Sequence, residues 1–233
     1  MPRYARQRIL IGDTQQNRLS KAKVTIIGMG ALGTVSAELL LRAGVTNLTL
    51  IDRDIIELSN LQRQTLYTEE DLEKSKVVAA KEHLLKIDST ANIKIESIHL
   101  NPSNIHLITN DLILDCTDNL STRFLIDDFC RKSELPWIYA AAIKREGYVM
   151  FISKEGPYLR NFLTEANLET CASVGVLNTT TTMISSLQTT LAINFLTNKE
   201  TPPSYLYHLN LETFEIKKLK ITSKPIPDFK YLL

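Results

Sequence analysis

Val24-Thr25-Ile26-Ile27-Gly28-Met29-Gly30-Ala31-Leu32-Gly33 is the stretch on which the fold turns. Its first four residues are β-favouring and mostly apolar, and they stop at a glycine, as a buried parallel strand does. G-x-G-x-x-G follows, and apolar residues then recur at Leu32, Val35, Leu39 and Leu40. That spacing is one face of a helix, and Gly44 closes it. Leu48-Thr49-Leu50-Ile51 reads as the next strand, with Asp52 at its end. Strand, glycine turn, helix and strand make a βαβ unit with a right-handed crossover.

Working outward, the alternation continues. A helix is predicted over 74–86, strands over 93–98 and 112–115, and a helix over 122–132. Trp137–Ala141 reads as a further buried strand, and Tyr148–Ile152 alternates like its hairpin partner. Glu155–Asn178 has little periodicity and reads as a long loop, of the kind that often carries function. A Thr-rich helix follows over 180–196, then two strands, Tyr205–Leu209 and Phe214–Leu219. The expected fold is α/β: a Rossmann-like, doubly wound, mostly parallel sheet extended by antiparallel C-terminal strands. The expected organisation is an N-terminal arm or helix (1–20), a Rossmann-like ATP-binding region (21–154), a crossover loop (155–178), and a C-terminal helix with strands completing the same domain (179–233).

A net charge of +1 gives no electrostatic reason to expect nucleic acid or an acidic membrane as partner. No apolar run reaches membrane-spanning length, and the first residues lack the apolar segment of a signal peptide. Three cysteines, Cys116, Cys130 and Cys171, supply neither a disulfide framework nor a four-thiolate zinc site. The expected setting is cytoplasmic, with reduced thiols.

The glycine motif sits in the context it needs, so Gly28, Gly30 and Gly33 are predicted to let backbone N–H groups approach phosphate at a helix N-terminus. Asp52, about 20 residues beyond the last glycine, is placed to bond ribose hydroxyls. These residues identify a nucleotide without saying which, and NAD is the default from this motif alone. The residues downstream shift the balance. Asp54, Asn60, Arg63, Lys76 and Asp118 follow, with Arg63 and Asp118 just after strand ends, at the carboxyl edge of the sheet. Lys76 opens a helix, where a cation is disfavoured unless an anion binds beside it. Hydride transfer needs no such array, whereas a triphosphate with Mg²⁺ does.

The combination resembles the ThiF/MoeB/HesA branch of the ubiquitin-activating superfamily, the adenylyltransferases of sulfur-carrier or ubiquitin-like proteins. The likeness runs through Arg3-Tyr4-Ala5-Arg6-Gln7, Gly44–Asp52, Leu58-Ser59-Asn60-Leu61-Gln62-Arg63-Gln64, Lys74-Ser75-Lys76, Asp115–Asn119 and Ala141–Gly147. It implies ATP-dependent adenylation of the C-terminal carboxylate of a small partner protein ending in Gly-Gly, with release of pyrophosphate. It further implies that Asn60, Arg63 and Lys76 contact phosphates, that Asp118 coordinates Mg²⁺, and that Asp54 joins Asp52 in the nucleotide-binding set. Arg6 matches an arginine that reaches into the active site of the neighbouring subunit of a homodimer.

The chemistry accounts for these residue types. Carboxylate and phosphate are both anionic, so cations must offset the charge that builds in the transition state. No general base is required, because a carboxylate is already ionised at neutral pH. His83, His99, His106 and His208 accordingly read as structural or surface residues. Cys116 and Cys130 read as packing residues. Cys171 lies where relatives place a cysteine that in some members receives the activated carrier; the alternative is an inert loop or core thiol. The family's two C-x-x-C pairs are missing, so no zinc is expected, and Tyr158, Phe162, Phe229 or Tyr231 would pack in its place. Ala140 stands where relatives often have glycine, a change expected to narrow the site slightly. The alternatives are a ligase or cyclase of the same superfamily acting on a peptide or tRNA base, an NAD-dependent oxidoreductase, and a non-catalytic nucleotide-binding partner.

Overall fold

The computed structural model describes residues 3–163, 174–198 and 200–224. Eight strands form one sheet in the order β3-β2-β1-β4-β5-β6-β7-β8. β1 (Lys23–Ile27), β2 (Asn47–Ile51), β3 (Asn92–Glu96), β4 (Leu112–Asp115) and β5 (Trp137–Ile143) pair in parallel. β6 (Glu146–Ile152), β7 (Tyr205–Asn210) and β8 (Glu215–Lys220) then continue it antiparallel. The mostly parallel sheet with antiparallel C-terminal strands is the expected one.

Period-two alternation along the strands sorts side chains into two cores. Val24 and Ile26 of β1, Leu112 and Leu114 of β4, and Ile138 and Ala140 of β5 face one side. Ile27, Ile113, Trp137 and Tyr139 face the other. The first side is covered by α2 (Ala31–Ala43), α3 (Lys76–Ile87) and α5 (Asn178–Asn198); the second is covered by α4 (Leu120–Lys132). The N-terminal helix α1 (Ala5–Lys21), bent at Gly12, lies beside α5 and buries Leu19 in the first core.

Local chemistry sets the ends of these elements. Gly44 closes α2 at φ +101°, and Val45 N–H returns to the Leu40 carbonyl at 3.0 Å. α3 starts at Lys76 rather than 74, because Lys74 and Ser75 belong to the turn that pairs with Ile55. α4 starts two residues earlier than its apolar spacing suggests, because the Asn119 side chain caps it by accepting from Thr122 N–H at 3.1 Å. β5 runs on to Ile143 and turns through Lys144 at φ +51° into β6. Gly147 is where α5 packs against β6: a Cβ there would lie 2.2 Å from Ile184. The topology brings the carboxyl ends of β1, β2 and β4 together where the strand order reverses, the usual ligand crevice of an open α/β sheet.

Candidate active site

The crevice is built first by backbone. Gly28 leaves β1 at φ +91°, and a Cβ there would lie 2.7 Å from the Cys116 carbonyl oxygen. A Cβ on Gly33 would lie 1.9 Å from the Gly28 carbonyl oxygen. Loop, helix α2 and the end of β4 therefore approach to distances that only hydrogen at Cα permits. Gly30 precedes α2 without a side-chain cap, so the amides of that first turn face the crevice.

Asp52 fixes the loop. Its carboxylate accepts from Met29 N–H at 2.6 Å and from Asp54 N–H at 2.8 Å. Burial pushes its pKa up, against the pull of these amides and of Lys76. Two carboxylate oxygens offer about four acceptor sites, so lone pairs are left for ligand hydroxyls. The carbonyl side of the same residue is held by buried Tyr67, whose hydroxyl lies 2.8 Å from the Met29 carbonyl and 3.1 Å from that of Lys76. One phenolic proton serves two carbonyls and joins the glycine loop to the start of α3. Lys76, buried at that start, places Nζ 3.1 Å from Asp54 Oδ2.

Asn60 and Arg63 lie on the turn after β2. Asn60 is buried and its Oδ1 accepts from Glu57 N–H at 3.3 Å. Arg63 is half-buried, with Nη1 donating to the Ser59 carbonyl at 3.0 Å. On the opposite wall, exposed Asp118 follows β4. Its loop is held from beneath by Arg123, whose Nη2 donates to the carbonyls of Thr117 and Ala140. Arg123 Nε lies 3.3 Å from fully buried Asp115, whose pKa burial raises against the pull of the guanidinium. Gln188 of α5 donates to the Asp115 and Ile138 carbonyls and accepts from Ser36 and Cys116.

Gly28, Gly30, Asp52, Asp54, Asn60, Arg63, Lys76 and Asp118 thus line one cavity of about 910 Å³. Gly33 stands behind it, packed on Gly28. The far wall is aromatic and apolar, with Tyr139, Tyr148, Phe162 and Leu206. Arg6 is not on this wall; it is exposed on α1. Cys171 lies outside the described residues, as do Phe229 and Tyr231. Phe162 packs edge-on against Tyr139 at 5.8 Å, and Tyr158 sits under Arg131 at 4.1 Å. Ala140 is fully buried within β5 and does not line the cavity, so its methyl group does not narrow it. Cys116 and Cys130 are buried, and burial raises both thiols.

The histidines divide. His83 bonds buried Asp71 at 2.7 Å, and His208 stacks on Tyr148, both structural roles. His99, read from sequence as structural or surface, stands exposed at the cavity rim. Sequence reasoning also missed Arg123, although a guanidinium beside Phe124-Leu125-Ile126 in a helix signals a buried charge. Tyr67 and Gln188 carry no local signal, because their partners are distant in the chain.

The donor set can be weighed against the groups it would hold. Amides at a helix start, a buried ammonium and a nearby guanidinium fit phosphate. Among the described residues no three His, Cys, Asp or Glu side chains gather as a self-sufficient metal site. A lone carboxylate such as Asp118 fits Mg²⁺, which is commonly held by one or two carboxylates plus substrate phosphates.

Fold and cavity together define a nucleotide-binding α/β protein of the doubly wound class. A sequence profile of the ThiF family matches residues 4–229, and the chain belongs to that family. The chain is 36% identical to the sulfur carrier protein ThiS adenylyltransferase of Bacillus subtilis over 86% of its length, and spans 62% of that relative. It is 33% identical to the molybdopterin-synthase adenylyltransferase of Escherichia coli, covering 97% of this chain and 94% of the relative. The structure of E. coli MccB with ATP superposes with a TM-score of 0.85 at 20% identity, covering 96% of this chain and 73% of that one, a likeness of fold.

Proposed function

We propose that this chain adenylates the C-terminal carboxylate of a small ubiquitin-like or sulfur-carrier protein ending in Gly-Gly, consuming Mg-ATP and releasing pyrophosphate. The observation that carries the reading is the convergence of Asp52, Arg63, Lys76 and Asp118 on one cavity with the glycine loop. Its volume of about 910 Å³ is near the upper end of the range for small-molecule sites, roughly 300–1,000 Å³, which leaves room for a peptide end beside a nucleotide. The names of the relatives, both adenylyltransferases of carrier or molybdopterin-synthase systems, support the same chemistry.

In this reading the glycine-loop amides and the first turn of α2 bind phosphate, and Asp52 orients the ribose. Asp54 holds Lys76 until the nucleotide arrives. Lys76, Arg63 and Asn60 then hold the phosphates so that the α-phosphorus faces the incoming carboxylate. Asp118, together with the phosphates, would hold Mg²⁺, which would supply Lewis-acid stabilisation of the charge on the leaving pyrophosphate. The carboxylate oxygen forms the new P–O bond as the bond to pyrophosphate breaks, with no proton to move. The aromatic far wall excludes water from the product, a mixed anhydride. Cys171, five residues before cavity-lining Val176, is the proposed acceptor of the activated carrier in a following step. No resident zinc is proposed.

A homodimer completes the site. Ile9 and Leu10 are 80% and 85% exposed on α1 beside Arg6, and α5 contains no charged residue. An uncharged surface next to an arginine remote from its own cavity suits a second copy that receives Arg6.

ATP–pyrophosphate exchange tests the reading. Exchange should appear only when a Gly-Gly-ending carrier from the same organism is added. Exchange that is absent with every such carrier, while ATP still binds, would remove the proposed substrate class.

A further inference from the structure

Tyr67 is buried in the core and does not line the cavity, yet its hydroxyl reaches the glycine loop. Met29 of that loop is held at three points. Its side chain is fully buried, its N–H donates to Asp52, and its carbonyl accepts from the Tyr67 hydroxyl at 2.8 Å. No other group among the described residues donates to that carbonyl. A trans peptide is planar, so its C=O and its N–H point in opposite directions. With the Met29 carbonyl turned to Tyr67, the Gly30 N–H of the same peptide points away from the tyrosine, and Gly30 lines the cavity. That N–H has no hydrogen-bond partner among the described residues.

Glycine makes this orientation insecure. Gly30 has φ −92°, and turning over the Met29–Gly30 peptide would carry it into the positive range, which glycine enters without steric penalty. The Asp52 bond does not oppose that turn, because it is made to the preceding peptide. The phenol does oppose it, and it stays a donor: burial, with Asp52 and Asp71 nearby, pushes its pKa above the usual range. The same hydroxyl lies 3.1 Å from the Lys76 carbonyl, so the loop and the start of α3 share one anchor. We infer that Tyr67 is a positioning residue for nucleotide binding, whose hydroxyl holds the Met29–Gly30 peptide with its N–H aimed at a phosphate oxygen. It acts through the backbone and touches no ligand itself. This inference rests on the proposed use of ATP.

Tyr67→Phe removes the hydroxyl and keeps the ring. Wild type and variant, carrying glycine labelled with nitrogen-15, are titrated with ATP and with adenosine, which has base and ribose but no phosphate. In wild type the Gly30 amide resonance should move with ATP and stay nearly still with adenosine. Tyr67→Phe should lose that movement and about tenfold or more in ATP affinity, the usual worth of one hydrogen bond to a charged group. Its affinity for adenosine should change less than about twofold, because no phosphate contact is involved. Leu84→Val, buried in the same core about two turns along α3 from Lys76, controls for lost stability and should keep the wild-type ratio of the two affinities. Wild-type ATP affinity in Tyr67→Phe would overturn the inference, and so would an equal loss for ATP and adenosine. A wild-type Gly30 resonance that ignores bound ATP would overturn it without any variant having to fold. Wild type that binds no ATP at all would instead overturn the nucleotide reading itself.

Discussion

Lys76 is the residue at which charge and packing can be pulled apart. Its ammonium is buried at the start of α3, held by Asp54 Oδ2 at 3.1 Å, whereas the Asp54 side chain is 54% exposed. Removing the cation leaves a carboxylate that water can still solvate. Lys76→Met keeps most of the aliphatic stem, so unfolding free energy should change by about 1 kcal/mol or less. Exchange should fall about 100-fold or more, the usual loss when one preorganised charge is taken from such a transition state. Denaturant unfolding and exchange at saturating ATP check the two together. Parallel losses would make Lys76 a packing residue. Lys76 and Asp52 were legible in sequence because the chemistry is local: a cation at a helix start, and a carboxylate at a strand end beyond a glycine turn. Tyr67 and Arg123 were not, because what singles them out is burial and partners brought together by folding.

At the scale of elements, α4 does two things. Its start carries Asp118 and Asn119 to the cavity, and its C-terminal half grips the segment that leaves β6. Asp127 accepts from Leu159 N–H at 2.8 Å, Asp128 meets Arg160 through two bonds of 2.5 and 2.9 Å, and Arg131 donates to the Lys154 and Gly156 carbonyls. The predicted loop over 155–178 is therefore pinned at its entry. At its far end Lys144 N–H bonds the Gly175 carbonyl, and the Lys144 carbonyl accepts from Leu177 N–H. Periodicity could not reveal this, since the clamp pairs residues some 30 positions apart, whereas the helices and strands themselves announced their spacing. The grip has a titratable member. Asp127 is fully buried, its Oδ1 has no partner among the described residues, and burial raises its pKa to about 7 despite the Leu159 amide, Arg131 and Arg160, with Asp128 adding to the rise. A raised carboxyl stabilises the fold most below its unfolded pKa near 4, and that stability is lost as pH climbs through about 7. Asp127→Asn keeps an acceptor for Leu159 N–H and removes the titration. Its advantage over wild type should grow between about pH 4 and 7 and then level, reaching roughly 2–4 kcal/mol. Thermal unfolding at several pH values measures it, and parallel curves for the two proteins would show that Asp127 does not titrate in the fold.

At the scale of the whole molecule, the sheet order and the crevice at its reversal follow from the alternation of strands and helices. Where Arg6 acts does not. In one chain Arg6 is exposed on α1, away from the cavity, beside Ile9 and Leu10. A two-fold dimer presents the same surface on both copies, so an arginine given by one copy is matched by one received. Arg6→Ala and Lys76→Met should each be inactive as homodimers, the first lacking the arginine in every site and the second lacking the ammonium. When the two are mixed and allowed to exchange subunits, a heterodimer holds one site with both groups intact and one with neither. With random pairing half of the dimers are mixed, so activity should return to roughly one quarter of wild type. If Arg6 served the cavity of its own chain, every site in every mixed dimer would keep one lesion and mixing would restore nothing. Disrupting the apolar surface with Ile9→Asp and Leu10→Asp should prevent the recovery and yield monomers by light scattering. Recovery that persists in those monomers would separate Arg6 from the proposed dimer.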